Sequence, residues 1–173
     1  AFEPLDMWRN DLAWVFGHPG LADQLRPHIT AEMGGRLSQE NAIRLAQACE
    51  LVELSPEIAD VALSDSLPLL VRTSAARAVS RIGDGESRSR LLPLALGQAG
   101  DDPRDDLRGA GLRAVWPQHL SAVQFFESFE PPRQGYVGAH AGFLSELVES
   151  PGSLLDPESL PQALAWAVRW GVT

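Results

Sequence analysis

Apolar residues recur along most of this chain at intervals of three and four, the spacing that lines one face of a helix. Nowhere do they alternate with polar residues as a half-buried strand requires. The clearest stretch is Val71 to Asp84, where Val71, Ala75, Ala78, Val79 and Ile82 share one arc while Arg77, Ser80 and Arg81 point away. The small residues Ala75, Ala76 and Ala78 open that arc to a close neighbour, and Gly83-Asp84-Gly85 supplies a stop where a left-handed residue is tolerated. The stretch has an echo. Offset by 36 residues, Leu107 to Leu120 repeats it, setting Leu107 on Val71, Arg108 on Arg72, Arg113 on Arg77, Ala114 on Ala78 and Val115 on Val79. A period of this length with helical spacing inside each copy is the signature of a stacked-helix solenoid. The second copy adds Leu112 and Trp116 on the far side, so its helix is expected to be buried on two flanks and to end before Pro117.

The remaining segments read as further helices. Asp6 to Phe16 carries Met7, Trp8, Leu12 and Val15, and Leu21 to Arg26 completes a pair with it. Ser38 is the expected N-cap of a longer helix reaching Leu54, with Ala42, Ala46, Cys49 and Val52 facing one way. Ser55-Pro56-Glu57 opens a short helix to Leu63. Glu86 to Gln98 should be the antiparallel partner of the Val71 helix, kinked early by Pro93. Ser121 and Gln124 form a capping box ahead of Phe125, Phe126 and Phe129. Pro131 to Tyr136 reads as an exposed loop, and helices over Val137–Val148 and Pro157–Trp170 close the chain. The pattern predicts an all-α protein.

The run Leu70-Val71-Arg72, Ala75-Ala76-Arg77-Ala78-Val79 and Ile82-Gly83-Asp84 resembles the first helix and turn of a HEAT repeat. The resemblance implies a right-handed, armadillo-like α-solenoid of stacked antiparallel helix pairs, about ten helices forming one repeat domain over residues 1–173. It also casts Arg72 and Asp84, with Arg108 as the second copy's counterpart of Arg72, as a ladder tying neighbouring repeats together. The second copy departs from the pattern where Gln118-His119-Leu120 stands in place of Ile82-Gly83-Asp84. Leu107 to Arg133 is similar, in addition, to helical-repeat regions downstream of the nucleotide-binding domain in large bacterial NTPases of the NACHT (STAND) type, which implies a sensor or repeat role.

Composition narrows the function classes. The net charge is −9, and all 14 basic residues are arginines scattered along the chain. Such a balance argues against a surface that tracks a nucleic-acid backbone. With no lysine, a phosphate-binding GxxxxGK[ST] loop cannot exist, so no nucleotide cofactor is expected. The single Cys49 excludes an intrachain disulfide and fits a reducing compartment. No signal-like or membrane-length apolar run is present, so a cytoplasmic location without membrane contact is expected. The chain opens on Ala1 and closes with Gly171-Val172-Thr173 directly after a helix, the expected look of a piece of a longer polypeptide.

No catalytic constellation emerges. His18, His28, His119 and His140 are far apart and form no HxxxH or HxxE pair. Asp101, Asp102, Asp105 and Asp106 lack the glycine and distal glutamate of a calcium loop, and acids at a helix start already suit its dipole. Gly135-Tyr136-Val137-Gly138 has no strand before it and reads as a turn, not as a nucleotide fingerprint. No metal or catalytic residue is therefore assigned. The candidates for protein binding are the aromatics Trp116, Tyr136, Trp166 and Trp170, with burial in the core the competing reading for the three tryptophans and the favoured one for Trp116. The last helix is too apolar for a solenoid's outer face, so it is expected to pack on Val137–Val148 and to meet either a further repeat or a second copy in a homodimer. The expected function is a non-catalytic scaffold that contacts a protein partner or other domains of its own polypeptide. The alternative is a HEAT-like enzyme using its concave face, of the DNA glycosylase or bilin-lyase type; a basic groove or a cleft of converging titratable groups would distinguish it.

Overall fold

A computed structural model describes residues 16–31, 34–130, 138–149, 157 and 159–170. The described residues are all-α, with no strand among them. The expected first helix, Asp6 to Phe16, lies outside them but for Phe16, as does the whole of the expected loop Pro131 to Tyr136.

Helix α1 (Leu21–Ile29) buries Leu21, Leu25 and Ile29 against α2 (Arg36–Ala48). Helix α2 starts two residues before the expected Ser38, with Gly35 at the N-cap, because the Ser38 hydroxyl is engaged with His28 Nδ1 at 3.0 Å. It also stops short of Leu54. Glu50 takes a left-handed φ of 54°, which ends the helix, and a 3-10 turn over Val52–Leu54 leads into α3 (Ser55–Leu63).

Helix α4 (Leu69–Ile82) is the first copy of the repeat. Its expected stripe of Val71, Ala75, Ala78, Val79 and Ile82 is buried while Arg77 and Arg81 are exposed. It ends without a left-handed residue, since Gly83 has φ −61°. Asp84 caps the next helix instead, accepting from Ser87 N at 2.7 Å. The single partner helix expected over Glu86 to Gln98 is two short ones, α5 (Gly85–Ser89) and α6 (Leu92–Ala95). Pro93 lacks an N–H and is accommodated only in the first turn of α6, so the chain restarts there.

Helix α7 (Asp106–Val115), the second copy, is enclosed almost all round, with Leu107, Arg108, Gly109, Ala110, Gly111, Leu112, Ala114 and Val115 buried. Two glycines make this fit. A Cβ on Gly111 would lie 2.6 Å from Ala95 N and 2.9 Å from Leu94 Cβ on α6, and one on Gly109 would collide with the Ala139–His140 backbone of α9 (Ala139–Glu149). Helix α7 stops at Trp116, whose ψ of 139° is the extended conformation a following proline imposes. The capping box forms as read: Ser121 Oγ accepts from Gln124 N at 3.2 Å and opens α8 (Ala122–Ser128). Helix α10 (Leu160–Trp170) packs chiefly on α8, not on the expected Val137–Val148.

Packing runs in succession: α2 meets α4, α4 meets α7, and α7 meets α9. Alongside this row α3 lies on α4 and α6 lies on α7. The side chains joining the row are not the expected ones. Arg72 is buried, donating through Nε to Ala62 O at 3.2 Å and pairing with Asp65 at 3.0 Å. Its counterpart Arg108 is equally buried, donating to Ser128 O at 3.1 Å and standing 4.0 Å from Glu130. Both hold flanking backbone. The bridges from one helix of the row to the next come from another repeated pair: Arg77 on α4 reaches Asp106 on α7 at 3.3 Å, and Arg113 on α7 reaches Glu146 on α9 at 2.7 Å.

Candidate functional site

Two kinds of feature compete for function: a sealed polar cluster, and apolar surface on both sides of α8. The cluster forms where α7 begins. Asp102 is buried and accepts from Asp106 N at 2.9 Å and Arg108 N at 3.0 Å, fixing the loop onto the first turn. Burial raises its carboxyl pKa, with those N–H groups opposing the rise. Asp105, also buried, sits before the helix with a left-handed φ of 53°, and its Oδ2 lies 3.8 Å from His140 Nδ1. His140 is fully enclosed, and neither ring nitrogen has a hydrogen-bond partner among the described residues. The Phe129 ring meets its imidazole edge-on at 5.0 Å, and the Arg108 guanidinium lies over that same ring at 5.8 Å. Burial, then the Arg108 charge, pulls the His140 pKa down to about 4 against the opposing pull of Asp105. The imidazole is neutral at pH 7.

Histidine beside aspartate is the raw material of a general base. Here the ring is shut in, and the groove found on the surface is lined by other residues. The cluster joins α7 to α9. No group of three or more His, Cys, Asp or Glu side chains able to hold a metal ion occurs among the described residues. Burial pushes the Cys49 thiol pKa up, away from the thiolate that nucleophilic chemistry needs. Arg26 pairs with Glu57, Arg44 with Glu40, Arg90 with Asp60 and Arg113 with Glu146, so these guanidinium charges are already met by carboxylates. Among the described residues no helix is long and apolar enough to cross a membrane.

The surface features lie around α8. Its inner side is anchored by Phe125, whose ring lies 5.0 Å from Trp116 and 4.5 Å from Phe129. Trp116 is thereby buried, and it is withdrawn from the candidate binding residues. Toward α6, a shallow groove of about 310 Å³ is lined by Leu92, Leu96, Leu120, Gln124, Glu127 and Ser128. On the other side α10 is held by Trp166, whose indole N–H donates to Phe129 O at 2.8 Å while its ring faces Phe126 and Phe129. That leaves Trp166 half-buried and committed to the fold. Trp170 is exposed, in company with Leu160, Leu164 and Val168.

Of the expected binding residues Trp170 is thus exposed, while the groove was not among the expectations and His140 was assigned no role. The signal at His140 was its setting, Ala139-His140-Ala141-Gly142, a polar residue among small ones on a helix bound to be packed closely. The Arg77 and Arg113 bridges were in plain view as one of the aligned pairs. Compared with family models, curated proteins and solved structures, the chain gives no match.

Proposed function

We propose that this chain is a non-catalytic helical-repeat module, an α-solenoid that binds a protein partner or another domain of its own polypeptide. The solenoid reading is supported by the succession α2, α4, α7, α9 and by repeated arginines that bridge consecutive members of it. The observation that carries the binding reading is the contrast between the two kinds of site. The His140–Asp105 cluster is sealed, whereas the leucine-lined groove between α6 and α8 is open and, among the described residues, has Glu127 as its one charged wall residue. Such a surface suits an apolar side chain from a helix or extended segment, with a basic neighbour over Glu127. A role as the sensor or repeat region of a NACHT-type NTPase fits the same geometry, the groove then receiving another part of that protein.

A photo-crosslinking amino acid at Gln124, on the groove wall, tests this in the protein's native cells. The expected result is one discrete protein adduct, or an internal cross-link in a longer parent chain, that disappears on Leu96→Glu. Absence of any protein adduct from Gln124, with an intact fold, would overturn the reading.

A further inference from the structure

Leu160, Leu164 and Val168 are spaced four apart on α10, and they are 49%, 59% and 83% exposed. A run spaced in this way forms a single ridge along a helix. Helix α10 is not loose. Trp166 pins its other face to α8 through the hydrogen bond to Phe129 O and through two ring contacts, so the ridge is presented on a fixed support. Burying the tryptophan inward and leaving three aliphatic side chains outward is the reverse of what an isolated surface helix does.

We propose that this ridge is covered by the same ridge of a second copy, the two α10 helices crossing antiparallel about a two-fold axis. Charge favours this occupant. A chain of net charge −9 repels its own copies at most approaches, but Leu160–Trp170 contains no aspartate or glutamate. Its one charge is Arg169, near the C-terminal end. In an antiparallel pair the two Arg169 side chains stand at opposite ends of a contact roughly 16 Å long, farther apart than the screening length at physiological salt. A parallel pair would bring them together. The ridge is also self-complementary, since Leu164, in the middle, meets its own counterpart while Leu160 meets Val168. Two ridges of a few hundred Å² each fall below the ~1,200–2,000 Å² of a stable interface, so the dimer is weak and forms only as concentration rises.

This deepens the reading of the chain as a contact-making module and rests on it, yet it uses a surface distinct from the groove, so each can fail alone. Sedimentation velocity over a hundredfold concentration range, up to the highest soluble concentration, tests it. The wild-type chain should pass from monomer to dimer mass, and Leu164→Asp with Val168→Asp should stay monomeric throughout with an unchanged melting temperature. Wild-type protein that remains a monomer at every concentration overturns the proposal, as does assembly that grows past the dimer. A double variant that melts early places the ridge in the core and overturns it as well. If the Gln124 adduct persists while self-association is absent, only the dimer is lost.

Discussion

Acid should loosen the joint between α7 and α9 through His140. An ordinary histidine titrates near 6.5 and this one near 4, so between those values the unfolded chain holds a proton that the folded chain refuses. Stability therefore rises with pH across the window; it is fully present above about pH 6.5 and is lost as pH falls toward 4. At about 1.4 kcal/mol per unit, the loss is on the order of 2 kcal/mol by pH 5 and about 3 kcal/mol once the window is crossed. Asp102 works the other way, because its raised pKa favours the folded state as its carboxyl is protonated. Asp84, lowered by its Ser87 hydrogen bonds, and Glu146, lowered by Arg113, lose their stabilisation only below the ordinary carboxylate range. The comparison must then be differential. Urea unfolding at pH 7, 6 and 5 should show the wild type losing about 2 kcal/mol more than His140→Leu, and at pH 7 the variant should lie within about 1.5 kcal/mol of the wild type, since a side chain of similar volume replaces a neutral buried ring. Parallel pH curves for the two proteins would refute the reasoning.

The close contacts of α7 give a second prediction. Gly109→Ala and Gly111→Ala should each cost about 1–3 kcal/mol or more despite alanine's better helix propensity, because the added Cβ meets the Ala139–His140 backbone or Ala95 N. Gly142→Ala meets only the movable Arg113 Nη2 at 3.0 Å and should be much milder; equal melting temperatures for all three would contradict the packing. A double-mutant cycle on Arg113 and Glu146 should return about 0.5–1 kcal/mol, reduced by salt, and one on Arg77 and Asp106 less, since Arg77 is the more exposed. Trp166→Phe should lower stability by about 1 kcal/mol by stranding Phe129 O, whereas Trp170→Phe should leave the melting temperature unchanged.

What the sequence disclosed follows from what its physics encodes. The stripe of α4, the stop before Pro117 and the Ser121–Gln124 box are set by neighbours within one or two turns, and each is present. The errors fall where a distant residue decides. Ser38 reads as a cap until His28 claims its hydroxyl, whereas Trp116 reads more as core than as contact surface and is buried, with Phe125 against it. Arg72 and Asp84 were matched by likeness, but each is satisfied locally, by Ala62 O and Asp65 or by Ser87 N. The groove was not legible at all, because Leu92 and Leu96 stand at the two ends of α6 while Leu120 and Gln124 come only after the whole of α7. Pairing them required the fold.

The groove has a local origin in the difference between the two repeat copies. Thr73 and Ala75 on α4 correspond by the 36-residue offset to Gly109 and Gly111 on α7. Thus α4 meets its neighbours through side chains, while α7 is approached at backbone distance by α6 on one flank and α9 on the other. Drawn in over Gly111, the four-residue α6 turns Leu94 and Ala95 into the core and leaves Leu92 and Leu96 only partly covered. Across from them, Gln124, Glu127 and Ser128 of α8 form the other wall, on the helix whose Phe125 ring packs 5.0 Å from Trp116. Gly111→Leu should push α6 outward and disrupt the groove together with the fold, whereas Leu96→Glu should alter the groove alone. The groove and the close packing of α6 on α7 thus share one residue choice, Gly111.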